Sequence, residues 1–211
     1  MPYIGTQPND VKKNTGLYTP SEILQLTKEG SWGGSLELIE EQTYSSTVSV
    51  VDFLNIKEDI FDVHYMTFSN MQTSVDNQDV LNFRFFESGV LESASVYFQS
   101  SQTTSAISGL EAYERRSQSA SAINYLFGTG TVTGEQAVGS AFFYNLGNSS
   151  LYSLMTGSFM GLSNSGLPMQ SFGGANLPQA STVDGIRVMK NTGNYADFTI
   201  RLYGIKELWV I

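Results

Sequence analysis

The sequence predicts a mainly β protein: a jelly-roll-like antiparallel β-sandwich preceded by an extended N-terminal arm and one short helix. Charged residues make up only 15% of the 211-residue chain, glycine reaches 20, and Ser, Thr and Asn are plentiful. That balance favours strands and turns over long solvated helices. Eight runs alternate apolar and polar residues with period two, and turn-rich segments separate them. The links between runs are irregular and show no βαβ rhythm, which selects two packed antiparallel sheets. The length suits one domain with a real hydrophobic core plus an appended segment, divided as an anchoring arm over 1–43 and a sandwich over 44–211.

Met1 to Gly16 holds Pro2, Gly5 and Pro8 among polar residues with few apolar anchors, which suits an extended arm ordered by what it packs against. Thr19, Pro20, Ser21 and Glu22 then form a capping box: the Thr19 hydroxyl accepts the Glu22 amide, Pro20 sits in the first turn, and Glu22 reaches back. Ile23, Leu24 and Leu26 supply the apolar face, and Gly30 closes the helix. At about three turns such a helix is marginal alone, so its purpose is docking, with Trp32 as a further anchor. Tyr18, Ile23, Leu24, Leu26 and Trp32, with Trp209 near the other end, are the candidate assembly residues.

The strand candidates are TVSVVDF (47–53), IFDVHYMTF (60–68), VLNFRFF (80–86), ASVYFQ (94–99), VGSAFFYN (138–145), LYSLMTGSFM (151–160), GIRVM (185–189) and ADFTIRLYGI (196–205). In the last, Phe198, Ile200 and Leu202 alternate with Thr199, Arg201 and Tyr203, giving one buried and one exposed face. The span 108–127 reads as a short helix despite its serines. Two stretches read as long loops, 71–79 and 161–182. The second carries Pro168, Pro178, Gly173 and Gly174, which place it outside a sheet interior and mark it for assembly or ligand contact.

The chemistry-bearing residues are sparse. There is no cysteine, so thiolate nucleophiles, disulfides and Cys-ligated zinc are excluded together. The single histidine, His64, lies in a strand run with no positional hint of relay partners. Asp52, Glu58, Asp59 and Asp62 are carboxylates near strand ends, where solvation is the usual state and a glycosidase pair the rarer one. DNQD at 76–79 lacks the glycine and terminal glutamate of an EF-hand and reads as an Asx turn, leaving calcium near Asp76 and Asp79 open. GTGTVTG at 128–134 has no lysine and reads as a turn whose Thr131 to Thr133 enter a strand. Arg115 and Arg116 lie beside Glu111 and Glu114 as a mixed solvated face, and Met155, Met160, Met169 and Met189 read as core or interface fillers. No cofactor is implied.

Eleven basic residues against 20 acidic ones give a formal charge of −9, which repels a polyanion, so nucleic acid is not an expected partner. No run of about 18 apolar residues exists and the N-terminus lacks a basic segment followed by an apolar one, so neither membrane insertion nor a standard secretion signal is expected. The C-terminal LWVI (208–211) is buried either in an assembly or in the protein's own sandwich.

Gly16, Leu17, Tyr18, Thr19, Glu22, Ile23 and Leu26, followed by Trp32, resemble a recurrent segment of tailed-bacteriophage virion proteins: Gly, aliphatic, aromatic, Ser or Thr, two variable positions, Glu, then Trp after a short helix. The opening PYIGTQP and the late FTIRLYGI (198–205) are similar to segments of marine phage tail and virion proteins with jelly-roll-like domains; together these cover about a third of the chain. The resemblance implies a non-enzymatic virion structural protein, tail-fibre or tail-associated, that attaches by its arm and projects a β domain. It implies other virion proteins and further copies of the chain as partners, a trimer being the fibre arrangement, with a host surface glycan as another. A head-decoration or vertex protein, a carbohydrate-binding adsorption module and a carbohydrate-cleaving tail enzyme are the competing readings.

Overall fold

The computed structural model describes residues 19–21, 24, 36–75, 81–107, 112–125, 128–190 and 193–206. The chain divides into two compact units, Met1–Ser35 and Leu36–Ile211. In the first, Pro20, Ser21 and Leu24 are helical, and the Thr19 and Ser21 hydroxyls lie 3.3 Å apart.

The second unit is built from strands, several of which, such as those over 50–53, 63–73 and 195–205, bury an apolar side chain at about every second residue. They are β1 (Leu36–Tyr44), β2 (Val50–Phe53), β3 (Val63–Thr73), β4 (Leu81–Glu87), β5 (Val90–Leu91), β6 (Tyr97–Ser105), β7 (Ala112–Ala120), β8 (Ile123–Tyr125), β9 (Ala137–Tyr144), β10 (Tyr152–Leu162), β11 (Pro168–Ala180), β12 (Val183–Met189) and β13 (Tyr195–Ile205). One sheet runs β1-β13-β3-β9-β10-β11-β6-β7; the other runs β2-β12-β4-β5, with β8 also on β4. Every pairing is antiparallel.

Four nested pairs define the topology: β1 with β13, β2 with β12, β3 with β9, and β4 with β8. The chain therefore folds as one long two-stranded ribbon. Rolling it up adds the pairings β13 to β3 and β12 to β4, which is a jelly roll. Inserted strands β10 and β11, then β6 and β7, widen one sheet beyond the four the roll requires.

The two inner faces meet in a core rich in rings. Phe83 of β4 packs edge-on against Phe68 of β3 and Phe143 of β9, with centroids 5.9 and 5.8 Å away, and lies 6.1 Å from Phe159 of β10. These contacts join the two sheets across a single core layer. The buried phenols find partners: Tyr97 Oη accepts the Phe85 amide and donates to the Glu92 carbonyl, Tyr125 donates to the Gly173 carbonyl, and Tyr195 to that of Met189. Along β13, Phe198, Ile200 and Leu202 are buried and Thr199, Arg201 and Tyr203 are not, the register that the alternation predicts.

Four stretches differ from the sequence reading. Residues 71–73, read as the start of a loop over 71–79, are the end of β3, and 76–79 lie outside the described residues. Residues 161–182 are not a loop: β10 ends at Leu162, a tight turn follows, and β11 lies in the interior of the large sheet between β10 and β6. The turn is closed by the Gly166 amide on the Ser163 carbonyl, with Gly166 at a φ of 69°. Its prolines are tolerated because Pro168 opens the strand and Pro178 lies past the last residue paired with β6. Gly173 is required by closeness: a Cβ there would stand 2.3 Å from the Ser100 carbonyl oxygen of the adjacent strand. Residues 112–120 are strand β7 and 123–125 strand β8 rather than a helix, since Ala112 to Ser117 pair with β6, Ile123 to Tyr125 pair with β4, and the serines and charged residues supply no helical apolar stripe. Thr131 to Thr133 bend and turn, and β9 starts only at Ala137. The strand β1 belongs with the β unit, although most of it falls in the span 1–43 assigned to the arm.

Candidate functional site

Of the candidate assembly residues, Leu24 is described and is exposed, at 55%. Tyr18, Ile23, Leu26, Trp32 and Trp209 lie outside the described residues, as do Asp76 and Asp79.

Two of the chemistry-bearing residues, His64 and Asp52, are held by structural partners. His64 is fully buried, with Nε2 2.7 Å from the Ile56 carbonyl oxygen, which makes Nε2 the protonated donor. Burial lowers its pKa below the usual imidazole value, outweighing the Ile56 hydrogen bond and the nearby Asp62 charge. Asp52 receives a bidentate pair from Arg187, 2.6 Å on each arm, between residues directly opposite on β2 and β12. Among the described residues no three His, Cys, Asp or Glu side chains cluster as a metal site. Of the methionines, Met155 and Met169 are buried, Met189 is half-buried, and Met160 is exposed.

The feature that stands out is the outer face of the large sheet. Directly paired residues share a face, and one row reads Leu36, Ile205, Val63, Tyr144, Leu154 across β1, β13, β3, β9 and β10. The next row reads Leu38, Tyr203, Tyr65, Phe142. The rings form a ladder: Tyr65 lies 4.6 Å from Phe142 and 6.3 Å from Tyr203, and Phe142 stacks on Tyr144 at 6.4 Å. Leu36 and Leu38 are 48% and 50% exposed, and the rings are half-buried. The belt is therefore a contiguous apolar surface on an acidic protein, the kind of patch that marks an interaction site. The following row is polar, with Arg201 bonded to Glu41 and then Thr67 and Ser140.

Towards β6 the same face hollows into a shallow groove of about 410 Å³. Gly174 floors it, Phe98 and Leu154 supply apolar walls, and Thr156, Asn176 and Gln118 supply neutral polar groups; none of its lining residues is ionisable.

No family model, curated protein or solved structure matches the chain. The belt and groove were hidden in the sequence because their residues come from separate strands. A signal did exist: β3, β9 and β13 carry large apolar residues on both parities, as in Val63 and Tyr65 beside His64 and Met66. A strand with a solvated outer face would show polar residues there.

Proposed function

We propose that the protein is a non-enzymatic structural component of a tailed-bacteriophage virion, a tail-fibre or tail-associated part that attaches through the residues before β1 and projects its jelly roll. The observation that carries this reading is the aromatic and aliphatic belt on the outer face of the large sheet. Such a surface is costly in water and gains by being covered, as it is in a multi-subunit particle. The partners are neighbouring virion proteins and further copies of this chain. The test is phage carrying the chain without residues 1–35, a cut that leaves β1 in place. The reading expects a folded β unit missing from purified particles; normal incorporation overturns it. Electron microscopy of particles carrying a labelled chain separates a tail component from a head-decoration or vertex protein.

The groove beside Phe98 favours a second reading, a carbohydrate-binding adsorption module. A ring and an aliphatic wall suit the C–H faces of a sugar, and neutral amides and hydroxyls suit its hydroxyl groups. Under this reading the protein binds a neutral glycan without turnover, and Phe98→Ala abolishes binding while the melting temperature holds. An array of neutral glycans that retains nothing removes this reading and leaves the particle test untouched.

A further inference from the structure

We propose that β1 is an exchangeable strand: in an assembly of this protein it leaves its own β13 and pairs with β13 of a second copy. The inference rests on β1 and the edge it occupies, and it stands whether or not the assembly is a virion.

Among the described residues β1 is an edge strand whose one hydrogen-bonded neighbour is β13. None of its nine residues is buried. Its inward side carries Glu40 and Gln42, and an open cleft of about 690 Å³ separates it from Val50, Val51 and Asp52 at β2. Gln42 spans that cleft to the Asp52 carbonyl at 2.8 Å. Detaching β1 thus removes little apolar surface from cover, mainly the partial packing of Ile39 and of Tyr44 on Phe198.

The acceptor edge is preformed, since β13 is held on its far side by β3 along its length. The pairing is also specific. A bulge between Leu38 and Glu40 sets the register, Glu37 bonds Lys206 and Lys57, Glu41 bonds Arg201, and the Thr43 and Thr199 hydroxyls meet at 3.0 Å. A second copy's β1 would make every one of these contacts. The two arrangements differ chiefly in residues 45–47, the short link between Tyr44 and Val48, which is pinned to Tyr195 by two backbone hydrogen bonds. Identical contacts with a short hinge are the conditions under which strand exchange costs least.

The chain contains no cysteine, so the test is clean. Thr43→Cys and Thr199→Cys are made as separate proteins, mixed at equal concentration, unfolded, refolded together at high concentration and oxidised. Thr43 and Thr199 are directly opposed, so exchange of β1 brings the two thiols of different chains within disulfide reach, whereas chance collision of exposed thiols would link each protein to itself as readily. The expected result is a covalent heterodimer on a non-reducing gel, absent when either protein is refolded alone. As a second measurement, the double variant T43C/T199C should give chain-to-chain linkage that rises with refolding concentration. The control S69C/T199C, which bridges β3 and β13, should stay within one chain. No heterodimer, with T43C/T199C closing only within single chains at every concentration, overturns the proposal.

Discussion

Phe198 shows how one side chain couples local alternation to stability. It is buried on β13 with its ring 5.1 Å from Tyr44 and 5.4 Å from Tyr195. Truncation leaves a cavity between sheets that cannot collapse, so Phe198→Ala should cost about 3–5 kcal/mol. Thr199 loses one hydroxyl contact on the solvated face, and Thr199→Ala should stay within about 0.5 kcal/mol. Urea midpoints of the two variants give the comparison; equal, mild shifts would contradict this register. His64 offers a pH test. Its folded pKa lies below the unfolded value of about 6.5, so the unfolded chain binds more protons between the two values. Stability is fully present above about pH 6.5 and is lost as pH falls from there toward the folded pKa. Replacing His64 with Gln should flatten that part of the stability profile, measured as urea midpoints between pH 8 and 5.

At the scale of the element, β11 shows a strand made possible by the residues that hid it. Gly173 faces the backbone of Ser100 and Ser101, neither of which can yield without breaking the β6 pairing, whereas a Cβ at Gly174 would sit 3.3 Å from the Met155 carbonyl oxygen, a tight contact that a shift of a few tenths of an ångström relieves. Gly173→Ala should therefore destabilise by roughly 1–3 kcal/mol, and Gly174→Ala clearly less. Thermal melts of the two single variants decide it, and equal loss would place the close approach elsewhere. Gly174→Ala would also raise the floor of the groove, so its effect on glycan retention reports on that surface separately from folding.

For the whole molecule, the nested pairing makes β13 an interior strand of the roll, one place in from the edge, with β1 as its outer cover. Removal of residues 1–35 should leave the melting temperature of the β unit within a few degrees, because the core lies within 36–211. Removal of residues 1–44 also strips the Glu37 and Glu41 ion pairs and opens the β13 edge. That longer cut should lower the melting temperature further and promote aggregation through the unpaired edge, visible by light scattering. If the two truncations behave alike, β1 contributes nothing to the roll.

Composition and the two-residue period were enough to determine a mainly β chain, to place each of the eight alternating runs on a strand while overrunning several strand ends by up to three residues, and to assign the buried face of β13, because side-chain parity is a local property of the backbone. Only the tertiary structure decided the rest. Strands β7 and β11 are rich in Ser, Gln, Gly and Pro and have weak intrinsic preference for extended structure; neighbours on both sides of β11 and on one side of β7 supply the hydrogen bonds that hold them. The belt and groove depend on register, which sets Leu36 beside Ile205, Val63 and Tyr144 although these positions are up to 169 residues apart. Parity is written along the chain, whereas which residue faces which is fixed only when strands pair, and a one-residue slip in any of them would turn the belt inward.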